Sequence, residues 1–255
     1  MKSAQDAIVT EDAVTIERAQ LVDELVAANR ILFQQGVVDA FGHVSARDPN
    51  NRSHFLLARH LAPSIVTHDD IRTFDFNGNV VDAEPGKFYT ERYIHAAIYA
   101  VRPDVAAVVH SHSPAIIPFS ITDVPLRPVC HVSAFLGEGV ARFDTQAVAG
   151  DTDLLIRTIE LRHALARSLG SSPVALMRGH GSVAVGASLR QAVYRAIYTE
   201  LNARLQTEAL RLGAVTYLTP GEVALMESHT DPTYRRPWDF WRSELPEREP
   251  PKRAS

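Results

Sequence analysis

Two apolar runs in this chain stop abruptly at histidine. Val108-Val109 leads into His110-Ser111-His112-Ser113, and Val174-Ala175-Leu176-Met177 leads into Arg178-Gly179-His180-Gly181. Residues two apart on a β-strand face the same side, so His110 and His112 can aim their rings at one point. His180 stands between glycines, which let backbone approach closely, and can bring a third ring nitrogen. Three imidazoles with open coordination positions can hold a divalent catalytic ion. A His-x-His pair alone is more often solvated or hydrogen-bonded; the third histidine, in the same strand-end context, raises the pattern above that background. Glu91 adds a carboxylate upstream. Alone it reads as a first-turn residue complementing a helix dipole. Beside three imidazoles it reads as a proton carrier. An ion on neutral imidazoles keeps its positive charge and can stabilise an enolate or phenolate as negative charge develops.

Several elements must position these groups. Leu21, Leu25, Ala28 and Leu32 recur at helical spacing within a helix from Ala13 to Gln35, stopped by Gly36. Residues 37–80 hold short apolar runs separated by turn residues, as in Asp48-Pro49-Asn50-Asn51 and Asn77-Gly78-Asn79, and read as strands and hairpins. Thr90 is the expected N-cap of a helix carrying Ile94, Ile98 and Val101 and closed by Pro103. A buried strand over 105–109 then delivers the histidines. Asp151 to Leu169 reads as helix with Gly170 as its stop, and Pro173 to Val185 as strand interrupted at Gly-His-Gly. Ser188 is expected to cap a long helix bearing Leu189, Val193, Ile197, Leu201 and Leu205 and ending at Gly213. The order is α/β without simple βαβ alternation.

Composition narrows the function classes. A length of 255 residues with 45% hydrophobic and 22% charged content fits an ordinary globular protein with ample core. A net charge of -4 gives no electrostatic reason to expect nucleic acid or an anionic membrane as partner. The lone cysteine, Cys130, forbids an intrachain disulfide and is expected to be a small buried apolar residue. No apolar run reaches the roughly 18 residues of a spanning helix, and the N-terminus lacks the form of a signal peptide, so the cytoplasm is the expected location. One domain is expected over residues 10–230, after a loose tail over residues 1–10. The charged, proline-rich tail 231–255 is expected to dock only in part, through Trp238, Phe240 and Trp241, and not from about Glu247 onward.

Taken together, Gly42-His43-Val44-Ser45-Ala46-Arg47, Glu91-Arg92-Tyr93-Ile94-His95, Arg102-Pro103-Asp104-Val105, His110-Ser111-His112 and Gly179-His180-Gly181 resemble the class II aldolase/adducin family in order and spacing. The resemblance spans about residues 15–215. It implies an α/β fold with a central, mostly antiparallel sheet flanked by helices. It also implies a divalent metal on His110, His112 and His180, with Glu91 as acid/base beside it and able to ligate the ion when substrate is absent. Manganese is the expected ion; zinc, iron(II) and cobalt(II) suit the same donors. Family members form symmetric, commonly fourfold oligomers with active sites at subunit boundaries. A homotetramer or a multiple of it is therefore expected, with Trp238 and Trp241 at or near an interface.

The chain departs from the sugar-phosphate aldolases of that family. Tyr89-Thr90 replaces paired serines before the glutamate, and His43 replaces the asparagine of Gly-Asn-x-Ser. Val132 stands where an aldolase tyrosine moves a proton. The combination of Ala58 to Pro63, Tyr89 to His95, Pro118-Phe119 and Leu126 to Val129 is similar to another branch. That branch contains decarboxylases of hydroxylated aromatic acids, such as dihydroxyphthalate or a hydroxy-methylpyridine dicarboxylate. The expected activity is thus non-oxidative, metal-dependent decarboxylation of a hydroxylated aromatic or heteroaromatic acid. The alternatives are an aldolase or epimerase of an unphosphorylated hydroxy-carbonyl substrate and, because the family includes adducin, a non-enzymatic interaction module. Arg59 is a candidate clamp on a substrate carboxylate, or else part of a surface salt bridge. Thr90 is a candidate substrate contact. His43 and His131 are candidate proton-handling groups, and Arg178 has fold-stabilising hydrogen bonding as its ordinary use.

Overall fold

A computed structural model describes residues 18–82, 86–228 and 234–246. The chain runs through α1 (Arg18–Gln34), β1 (His43–Arg47), β2 (His54–Ala58), β3 (Ile71–Asp75), α2 (Arg92–Val101), β4 (Ala107–Ser111) and α3 (Ile117–Ile121). It continues through β5 (Ala141–Phe143), α4 (Thr145–Ala149), α5 (Ile159–Leu169), β6 (Val174–Met177), β7 (Gly181–Gly186), α6 (Leu189–Leu212), α7 (Pro220–Ser228) and α8 (Arg235–Ser243). The strands form one seven-stranded sheet in the order β3-β2-β1-β4-β7-β6-β5. Every pairing is antiparallel except β5 with β6. Helices α1 and α6 pack together and contact β1, β4 and β7, while α2 and α5 pack together and contact β4, β5 and β6. This is the α/β arrangement the motifs imply.

The central strands are near-continuous apolar runs because helices cover them. In β4, Ala107, Val108 and Val109 are all buried, as are Val183, Ala184 and Val185 in β7. Ser188 caps α6 as its sequence predicts: its hydroxyl accepts from the Gln191 N–H, a contribution of about 1 kcal/mol. The β4–β7 pairing needs a glycine at its mouth. A Cβ placed on Gly181 would lie 2.0 Å from the Ser111 carbonyl oxygen. Gly181→Ala should therefore lower stability by about 3 kcal/mol, roughly a 6–12 °C fall in melting temperature. Thermal denaturation followed by circular dichroism measures it, and an unchanged midpoint would refute the close approach.

Two sequence expectations are corrected. The expected helix from Asp151 begins only at Ile159, where the Thr158 hydroxyl accepts from the Leu161 N–H. The preceding loop contains Leu154 at φ 63°, the one positive-φ residue other than glycine among the described residues. The loop has a use that helix would forbid, given below. Thr90 is exposed, and the N-cap position of α2 belongs to Glu91. Within the chain itself both tryptophans are covered. α8 packs on α1 and α6, Trp238 lies fully buried beneath the Arg190 guanidinium, and Trp241 meets Tyr198. An Arg242–Asp23 ion pair ties α8 to α1.

Cys130 is a free thiol, half-buried rather than fully buried, with Sγ 3.3 Å from the Ser133 hydroxyl. The expectations for residues 1–10, for the helix start at Ala13 and for the chain from Glu247 lie outside the described residues. No helix among the described residues is long and apolar enough to cross a membrane.

Candidate active site

The sheet register brings the histidines together. His43 on β1 pairs directly with His110 on β4, which places both rings on one face. His112 lies one residue beyond the end of β4, and His180 lies in the turn joining β6 to β7. Because β7 pairs with β4, with Ser182 opposite Ser111, that turn closes over the end of the His-x-His strand. Glu91 reaches the same point from the start of α2. The ligating atoms of Glu91, His110, His112 and His180 all lie within 4.8 Å of one another.

The hydrogen bonds around the rings fix which nitrogens face inward. His110 Nδ1–H donates to the Ser182 carbonyl and His180 Nδ1–H to the Leu154 carbonyl, each at 3.0 Å. Neutral rings held this way present bare Nε2 lone pairs to the cluster. Leu154 takes up its φ of 63° in the loop that supplies the second of these carbonyls; strain of this kind gathers at functional sites. His112 Nε2 lies 3.0 Å from both His110 Nε2 and His180 Nε2. One proton on His112 can satisfy only one of the two contacts, leaving lone pair against lone pair at the other. Glu91 Oε1 lies 2.7 Å from His180 Nε2, yet this buried oxygen has no hydrogen-bond partner. Glu91 is also an N-cap residue whose carboxylate does not cap its helix. Each conflict disappears when a cation lies among the four groups, and nitrogens spaced 3.0 Å apart suit ligands at about 2.1 Å from one ion. The donor set therefore fits a divalent metal.

The electrostatics agree with a neutral His110 imidazole and an ionised Glu91 carboxylate. Burial pushes His110 down to about 4 despite the pull of Glu91. Burial alone would raise the Glu91 carboxyl, but His110, His112 and His180 outweigh it and hold the group far below the usual carboxylate range.

The other candidates separate. His43 is buried against the cluster, with Nε2 3.9 Å from Glu91 Oε2. Thr90 lines an open surface cavity with His60, Lys87 and Arg92, next to Glu91. Arg59 donates through Nε to Asp70 at 2.7 Å and is half exposed, so the salt bridge considered from sequence is present. His131 is exposed, on a 3-10 helix packed on α6 and α7. Among the described residues it makes no contact with the cluster. Arg178 pairs with Asp144 at 2.6 Å, the fold-stabilising use.

Residues 23–207 match the family described as Class II Aldolase and Adducin N-terminal domain. The chain belongs to this family. Decarboxylase tropJ of Talaromyces stipitatus is 36% identical to it over 248 residues, covering 88% of this chain and 93% of that protein. A 3,4-dihydroxyphthalate decarboxylase of Arthrobacter keyseri is 30% identical over 206 residues, 75% of this chain and 79% of that one. The solved structure of an aldolase II superfamily protein from Pseudomonas syringae matches with a TM-score of 0.76 at 26% identity, over 92% of this chain and 96% of that chain.

Within this class II aldolase family chain, sequence reasoning passed over four side chains around the cluster. Ser45, His95 and Tyr99 form a hydrogen-bonded run behind His43. Signals existed: Ser45 is two residues from His43 on a strand, and His95 is four residues from Glu91 on a helix. The fourth, Phe41, is 63% exposed and stacks on His112 with ring centroids 6.0 Å apart. No periodic pattern marks it, because it sits in the loop before β1.

Proposed function

We propose that this protein is a divalent-metal-dependent, non-oxidative decarboxylase of a hydroxylated aromatic or heteroaromatic carboxylic acid. The observation that carries the proposal is the convergence of Glu91 with the bare Nε2 atoms of His110 and His180, beside His112. The 36% identity to one decarboxylase and 30% to another support the choice of reaction. Val132 supports it too, since a valine cannot carry a proton where an aldolase tyrosine would. Phe41 offers an exposed aromatic face beside His112, suited to stacking on a substrate ring. Lys87, His60 and Arg92 give the cavity that Thr90 lines a basic lining suited to an acid.

When bound, the ion supplies Lewis acidity, drawing electron density toward the substrate hydroxyl position as carbon dioxide departs. Glu91, as the carboxylate, takes the proton of the hydroxyl ortho to the leaving carboxylate. The C–C bond breaks, its electron pair stays on the ring carbon, and Glu91 returns the proton to that carbon. The products are carbon dioxide and the decarboxylated phenolate, which takes a proton from water. Arg59, through the part of its guanidinium not used on Asp70, and Thr90 orient a remaining carboxylate. Manganese is the ion this reading carries, and a homotetramer its assembly.

The test is carbon dioxide release from ortho-hydroxyaryl mono- and dicarboxylates by manganese-loaded protein. Release that stops on chelation and returns with the ion is the expected result. Silence across the panel, with an aldehyde released from a hydroxy-carbonyl substrate, would replace the decarboxylase with an aldolase.

A further inference from the structure

Behind the metal-binding cluster lies a buried run of hydrogen bonds that reaches no solvent. Tyr99 and His95 come from α2, and Ser45 and His43 from β1. The Tyr99 hydroxyl lies 2.8 Å from Ser45 Oγ. Ser45 Oγ lies 2.6 Å from His95 Nδ1, and His95 Nε2 lies 2.7 Å from His43 Nδ1. His95 and Ser45 are 0% exposed, Tyr99 is 1% exposed and His43 is 2% exposed. The far end of the run is His43 Nε2, a buried atom with no hydrogen-bond partner, facing Glu91 Oε2 across 3.9 Å.

The direction of this run follows from counting protons. The Tyr99 hydroxyl must find an acceptor, since leaving a buried donor unpaired is costly. Among the described residues its acceptor is Ser45 Oγ, because the nearby Arg47 guanidinium can only donate. Ser45 then has its own proton free, and His95 Nδ1 is within reach to accept it. An imidazole that accepts at Nδ1 and is neutral carries its proton on Nε2. His95 Nε2–H therefore donates to His43 Nδ1, and His43 in turn carries its proton on Nε2. Reversing the run would leave the tyrosine proton without an acceptor.

We propose that Tyr99, Ser45 and His95 are positioning residues that lock His43 in its Nε2–H form and aim that donor at the Glu91 carboxylate. His43 then steadies Glu91 between taking a proton and returning it, while remaining neutral itself. The proposal rests on the reading of Glu91 as the acid/base. Its structural half, the locked tautomer, stands apart from any activity.

The experiment is long-range 1H–15N correlation NMR on 15N-histidine-labelled, zinc-loaded protein, with kinetics of the manganese-loaded form beside it. His43 should show the Nε2–H pattern. Tyr99→Phe, which keeps the ring and removes the proton source, should convert His43 to a tautomer mixture. It should also lower kcat about 10-fold while KM and bound metal stay unchanged. Ser45→Ala should act in the same way and serves if Tyr99→Phe does not fold. A wild-type spectrum with the His43 proton on Nδ1, or with His43 as an imidazolium, overturns the proposal. So do folded variants whose tautomer and kcat match wild type. A protein with the Nε2–H pattern and no decarboxylase activity would sink the functional reading and leave the lock standing.

Discussion

Replacing His110 or His180 by alanine should remove both the bound ion and turnover. Each ring gives one inward nitrogen, and each is oriented by a backbone carbonyl that cannot move independently of the fold: Ser182 for His110 and Leu154 for His180. Among the described residues only Glu91, His110, His112 and His180 bring ligating atoms together here, so loss of either ring leaves the set one donor short. Loss of the ion removes the electrophile, and a fall in kcat/KM on the order of 10³-fold, about 4 kcal/mol, is expected. His112 is the most exposed of the three imidazoles, at 29% for its side chain. His112→Ala therefore tests the same claim with the least disturbance of the core. Metal analysis after gel filtration, with circular dichroism to confirm the fold, separates lost ligation from unfolding. Well-folded variants that keep a full equivalent of ion would remove that histidine from the ligand set.

Glu91→Gln should behave differently, keeping most of the ion while losing turnover. The amide preserves shape and an oxygen donor, and the three imidazoles stay in place. It cannot take a proton from a hydroxyl and return it to carbon. A loss of roughly 10²–10⁴-fold in kcat is expected, the range for removing a positioned acid/base, with a much smaller change in metal content. The split between metal content and kcat is the informative quantity. Turnover at the wild-type rate would end the acid/base role for Glu91, and loss of the ion in parallel would make it chiefly a ligand.

The cluster itself was legible because its spacing follows simple rules. His110 and His112 are two apart at a strand end, and Gly181 marks the place where β7 must approach Ser111. The family motifs added Glu91 and the fold class. What surrounded the cluster was harder to read. Periodicity carried the α5 pattern back to Asp151, because nothing in the sequence announces that the Leu154 carbonyl is needed by His180. The position of Thr90 fits an N-cap rule, but the helix starts one residue later, and Glu91 turns its carboxylate from the helix to the histidines. Buried Ser45, His95 and Tyr99 looked like ordinary interruptions of apolar faces, since their meaning lies in contacts between β1 and α2. Trp238 marks in sequence a tail that docks, without showing which surface of the chain receives it. A charged, proline-rich tail gives no local sign that it will form α8 and fold back on α1 and α6.

Calorimetric titration of chelator-stripped protein with manganese, with carbon dioxide release followed in the same samples, tests the central claim most directly. The account predicts saturable binding of a single ion per chain, with activity toward an ortho-hydroxyaryl acid rising in proportion to occupancy. Absence of binding, or activity that is full before any ion is added, would contradict it.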